Sequence, residues 1–330
     1  MTSQVAWALR LSLVLAVTAG VSGADGIVWH ESFDSALHSA QTSQKPILVF
    51  AYVIDSPTYE QMAEITLVHE DVVSASQQFE CVAVNVSDQA TDDVQRRLSL
   101  GPVRDESGGV HGSYPITAFL DPSGREQFRK HGFMPPGAFA GQLARAHHLI
   151  ACLNAVAQQP RDARLHRGLG RAYMELEISP GDKYYDAAIA HLRRAIQLDP
   201  DNATGAKLDA QIDLAIFSVP ENPSNASMTL AALKDQVADG PRRFEVQYYL
   251  AVAQCAMGSE KVAAQEAATG QELSEPAAAA VLKPYYAAAV NLLMPFRTDD
   301  TDSPYYQSEW AEPALILLYA LRPDLNPTDG

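Results

Sequence analysis

Apolar positions along the chain change their spacing from segment to segment, and each spacing predicts an element. Phe33, Ala36, Leu37 and Ala40 recur at helical intervals until Gln44-Lys45-Pro46 breaks the pattern. Directly afterwards Ile47-Leu48-Val49-Phe50-Ala51-Tyr52-Val53 is a continuous apolar run of strand length, which predicts a central parallel strand covered on both faces. The turn-like Asp55-Ser56-Pro57-Thr58 opens a helix toward His69, with Ser56 placed to cap it and Tyr59, Met62 and Ile65 or Leu67 directed at the sheet. Phe79 to Val86 reads as a second strand and Ile116 to Leu120 as a third. In Asp121-Pro122-Ser123-Gly124 the Asp caps, the Pro presets φ and the Gly closes a turn, so the third strand pairs with the segment after Glu126 as a hairpin. Beyond Pro135-Pro136, Phe139, Leu143, Ala146 and Ile150 mark a long helix. The order predicts an α/β domain over residues 25–157, with helices on both faces of one sheet.

After about Gln159 alanine rises and β-branched runs vanish, which predicts an all-helical domain over residues 158–325. Leu169, Gly170, Ala172 and Tyr173 lie on one helix; Ala188, Leu192 and Ala195 lie on a second, ended by Pro200, with an insertion at Glu175 to Lys183. Small residues at those positions let two antiparallel helices approach closely. Ala206 to Phe217 and Met228 to Val237 predict another pair. A weaker copy begins at Tyr248-Tyr249, with Gly258 at its turn and Ala263 and Gly270 in its second helix. Ala277 to Leu293, kinked at Pro284, and Ser308 to Leu321 are also helical by pattern.

Charge and cysteine usage narrow the function. With 40 Asp+Glu against 24 Lys+Arg the formal charge is -16, and the basic residues are scattered, which argues against nucleic acid. Three cysteines, Cys81, Cys152 and Cys255, are too few for a disulfide scaffold. No metal or cofactor is expected: adjacent His147-His148 point about 100° apart on a helix, and Asp299-Asp300-Thr301-Asp302 lacks the Gly and distal Glu of a calcium loop. Asn85, Asn202 and Asn225 open glycosylation sequons by pattern. Residues 1–24, with an apolar run from Leu11 to Val17 and small residues before Ala24, read as a secretory signal peptide, so the chain is expected to be exported, periplasmic or extracellular. No later membrane span is expected, because Lys283 and Pro284 interrupt the apolar stretch from Ala277 to Phe296.

Taken together, Lys45-Pro46 before the central strand, Ser56-Pro57-Thr58-Tyr59 followed by Met62, Tyr114-Pro115 before the third strand, and the Asp121–Gly124 turn resemble the thioredoxin-like family. The resemblance implies a cis bond before Pro115, beside the family's reactive site. Family enzymes carry Cys-x-x-Cys at the start of the helix after the central strand, where the helix dipole lowers a thiol pKa. Here that window is Ser56-Pro57-Thr58-Tyr59, and a hydroxyl cannot exchange a disulfide. Likewise Leu169, Gly170, Ala172, Tyr173, Ala188, Leu192, Ala195 and Pro200 resemble a tetratricopeptide repeat.

The expected function is a non-enzymatic, exported interaction module that binds protein or peptide partners. Its first groove is expected at Ser56, Pro57, Thr58, Tyr59, Tyr114 and Pro115, and its second around Tyr173, Tyr184, Tyr185, Tyr248 and Tyr249. The competing expectation is a redox accessory or atypical thiol-disulfide enzyme of the cell envelope, using Cys81 or Cys152.

Overall fold

Strand pairing builds the first part of the chain around one central strand. The computed structural model describes residues 26–54, 56–100, 103–104, 110–111, 114–176, 183–298 and 300–325. The expected signal peptide at 1–24, most of the insertion before Lys183, and Asp299 lie outside them. The strands are Trp29–His30 (β1), Ile47–Tyr52 (β2), Glu80–Asn85 (β3), Val103–Arg104 (β4), Val110–His111 (β5), Ile116–Leu120 (β6) and Glu126–His131 (β7). Five form one sheet in the order β1-β3-β2-β6-β7, and β4 pairs with β5 in a small ribbon. β2 runs parallel to β3 and antiparallel to β6, and β6 and β7 form the expected hairpin.

Alternation along β2 divides its side chains between two cores. Ile47, Val49 and Ala51 join Phe33, Ala36 and Ala40 of helix Phe33–Ser43 (α1). Leu48, Phe50 and Tyr52 point to the opposite face. There Phe119 of β6 meets Phe79, whose ring meets His147 edge-on in helix Pro136–Gln158 (α5). The helices between are Pro57–Gln61 (α2), Glu70–Ser76 (α3) and Asp92–Arg97 (α4).

Of the two alternatives expected after Met62, Leu67 is half-buried and Ile65 is not. Met62–Thr66 continues as a single wide π turn, closed by Leu67 N donating to Met62 O at 2.9 Å. The wider turn rotates the residues that follow, so Thr66 is buried and Ile65 is turned out to solvent at 48% exposure. Thr66 satisfies its hydroxyl by donating to Met134 O at 2.7 Å.

The chain divides into two compact units, residues 1–158 with 175–178 and residues 159–174 with 179–330. The second is helical: Ala163–Met174 (α6), Lys183–Leu198 (α7), Ala206–Phe217 (α8), Pro223–Lys234 (α9), Pro241–Thr269 (α10), Glu275–Leu293 (α11) and Ala311–Leu321 (α12). α6 packs on α7 where Gly170 leaves room: an added Cβ would stand 2.6 Å from Leu192 Cγ and 3.1 Å from Ala188 O. Three arginines from two helices converge on buried acids. Asp213 of α8 pairs with Arg167 and Arg171 of α6 and Arg242 of α10, and both Arg171 and Arg242 also pair with Glu245.

The expected turn at Gly258 is absent. α10 is one continuous 29-residue helix through that position, ended instead by Gly270 in the left-handed region. A single helical glycine costs only about 1 kcal/mol, and here it lets α11 approach: an added Cβ would lie 3.1–3.3 Å from Leu282 and Tyr285. α11 also runs through Pro284 as one helix. With the turn that follows, Glu275–Phe296 is long and apolar enough to cross a membrane by length and composition, despite Lys283 and Pro284, and 11% of that window is buried. Leu293 and Phe296 at its end join a core with Phe244 of α10 and Leu318 of α12.

Candidate functional site

β2 delivers the chain to Ser56, whose extended backbone (φ -77°, ψ 129°) turns it into α2, with Pro57 at the first helical position. Ser56 does not cap the helix with its side chain, as the sequence suggested. Its hydroxyl instead lies 2.8 Å from Thr58 Oγ1, and Thr58 Oγ1 lies 3.0 Å from Tyr114 O. A carbonyl only accepts, so Thr58 gives its proton to Tyr114 O and Ser56 gives its own to Thr58. The relay ties the start of α2 to the segment before β6, where the Tyr114–Pro115 bond is cis. Among the described residues the hydrogen-bond partner of the Ser56 hydroxyl is Thr58.

The two tyrosines of the site face different ways. Tyr114 is buried in the α1 core and donates its hydroxyl to Leu100 O; its ring holds the site in place and offers no surface to a ligand. Tyr59 stacks on Tyr52, with centroids 4.3 Å apart and planes 13° from parallel. Phe50 and Trp29 extend this row, at 6.5 Å from Tyr59 and 6.2 Å from Phe50 respectively. Burial raises the pKa of both phenols, Tyr52 gaining a further increment from Tyr59 and Asp88, so the stack is uncharged at neutral pH. Pro57 and Ile54 are exposed at its rim.

The structure therefore brings together Ser56, Thr58, Tyr114 and Pro115, leaves Pro57 at the edge, and adds a row that sequence reasoning missed. That row had a signal. Phe50 and Tyr52 share one face of β2 by period two, and Tyr59 opens the next helix over that face.

None of the three thiols lies at this site. Cys81 is buried in β3, and burial, reinforced by Glu80 and opposed by Lys45, pushes its pKa up to about 12. Cys152 and Cys255 are half-buried, and burial raises both. A thiol so shifted is almost wholly protonated at neutral pH.

The second expected surface is largely internal. Tyr173 is buried between Tyr184 and His191, and Tyr185 is buried against Phe217 with its hydroxyl on Glu221. Tyr248 and Tyr249 pack against Trp310. A cleft of about 420 Å³ opens between α7, α8 and α9, with Arg193 and Glu221 among its lining residues.

Residues 28–122 match a thioredoxin-like family model. The match ends at Pro122, after the cis bond and the β6 strand. Among solved structures, the solution structure of a thioredoxin from Thermus thermophilus is similar at 20% identity and a TM-score of 0.33, over 41% of this chain and 97% of that one. No curated protein matches the sequence. The chain is thus a thioredoxin-like α/β domain followed by a region of many helices.

Proposed function

We propose that this protein is an exported, non-catalytic interaction module, in which a redox-inactive thioredoxin-like domain and tetratricopeptide-like helix pairs bind protein or peptide partners. The hydroxyl relay carries the reading: Ser56 and Thr58 occupy the helix start beside Pro115 and spend their protons holding Tyr114 O, so the position offers neither sulfur nor a free nucleophile. The raised thiols elsewhere support it. The uncharged Tyr52–Tyr59 stack and exposed Ile54 and Pro57 supply apolar area of the kind that anchors an interface. Close α6–α7 packing at Gly170 supports the repeat reading, and the sequence of residues 1–24 supports export.

The test pairs chemistry with binding. Purified protein is assayed for dithiol-dependent reduction of a disulfide substrate, and its native thiols are titrated with and without denaturant. No turnover is expected, with Cys81 reacting only after unfolding. Turnover lost on replacing Cys81 or Cys152 by Ser overturns the proposal in favour of the redox enzyme. Partners cross-linked in the native compartment are then tested against Tyr59→Ala, which is expected to weaken binding about tenfold through loss of one aromatic anchor; unchanged binding removes this face from the interface.

A further inference from the structure

Inside the second unit two imidazoles meet across a helix pair. His166 of α6 is buried, and its Nδ1 lies 2.9 Å from Nδ1 of His191 on α7, with ring centroids 5.1 Å apart. The other nitrogen of His166, Nε2, lies 3.1 Å from Pro160 O. These contacts determine where the protons are. Pro160 O only accepts, so His166 carries its hydrogen on Nε2 and presents a bare lone pair at Nδ1. His191 must then donate from Nδ1, which leaves its own Nε2 as the bare nitrogen.

The arrangement tolerates one added proton and no more. The first goes to His191 Nε2, leaves the bridging N–H in place and makes that bond charge-assisted. A second has to enter His166 Nδ1, inside the bridge. Two N–H groups would then face each other at 2.9 Å, between two adjacent cations. We propose that His166 and His191 form a proton-limited latch between α6 and α7, which holds while the pair carries at most one added proton and opens when a second arrives.

The surroundings do not relieve that repulsion. No carboxylate hydrogen-bonds either ring among the described residues. Asp162, before α6, accepts from the backbone of Arg164 and Leu165. Arg167 and Arg171 of α6 are engaged by Asp213 of α8, and on α7 Arg194 donates to Gln197 while Asp186 and Arg193 are exposed. Tyr173 stacks on His191 at 6.1 Å, and Tyr184 stacks on Tyr173. Burial, and after it His166, lowers the pKa of His191, so the first added proton enters at lower pH than on a free imidazole.

Two measurements on the full chain test the latch. Nitrogen chemical shifts of the imidazoles at neutral pH should report hydrogen on Nε2 of His166 and on Nδ1 of His191; the opposite tautomers overturn it. Amide hydrogen exchange is then compared between about pH 7.5 and about pH 4.5, after correction for intrinsic rates. Protection in α6 and α7 should fall about tenfold more than in α8 and α9. His191→Gln can still donate to His166 and cannot take up a proton, so it should abolish that excess. An equal fall in all four helices, or a full excess retained in His191→Gln, refutes the latch.

Discussion

Single side chains in this protein are held by contacts whose chemistry can be counted. Asp121 is buried at the β6–β7 turn, where it accepts from Ser123 N and Oγ, Arg125 N and Nε, and Gln127 Nε2. Burial opposes its charge, but the hydrogen bonds from Ser123 and Arg125 outweigh that and hold the carboxyl below its usual range. A depressed carboxyl stabilises the fold above its unfolded value, near pH 3.9, and that contribution disappears as pH falls through the folded value. Asp121→Asn is expected to cost about 2 kcal/mol in urea unfolding at pH 7 and to show a shallower loss of stability on acidification than the parent. Ser56, Pro57 and Asp121 were all legible as turn or cap residues in the sequence. What Thr58 bonds to was not, because Tyr114 lies 56 positions away and only folding brings its carbonyl to Thr58.

At the scale of elements, two glycines in helix interiors make different predictions. At Gly170 a methyl group would meet a backbone carbonyl and the branch point of Leu192, neither of which can move aside. Gly170→Ala is therefore expected to destabilise by about 1–2 kcal/mol, overpacking exceeding the propensity gained. At Gly258 the neighbours, Leu282 and Tyr285, lie 3.1 Å or farther away and the nearest is a flexible tip, so Gly258→Ala is expected within about 0.5 kcal/mol of the parent. Thermal melts of the two variants side by side check both. The ion cluster that ties α6, α8 and α10 is the other element-scale determinant. Asp213 is fully buried, and Asp213→Asn leaves Arg167, Arg171 and Arg242 short of charge, at an expected cost of about 3 kcal/mol in denaturant unfolding. Sequence spacing identified most of these helices. It misplaced the turn at Gly258 because a glycine reads alike whether it ends a helix or admits a neighbour.

For the whole molecule, an excess of 16 negative charges sets what it can meet in solution. The cluster around Asp213 neutralises three arginines of the second unit internally. Binding to duplex DNA should be undetectable by gel shift even at low salt, where an electrostatic association would be strongest. The sequence by itself determined the α/β-then-helical order, the central strand, the β6–β7 turn and the lack of any Cys-x-x-Cys, because each depends on residues adjacent in the chain. The tertiary structure alone decided the bond from Thr58 to Tyr114, the arrival of Trp29 beside Phe50 and the meeting of His166 with His191. Those depend on distances between segments far apart in sequence, and pattern along a chain carries no information about such distances.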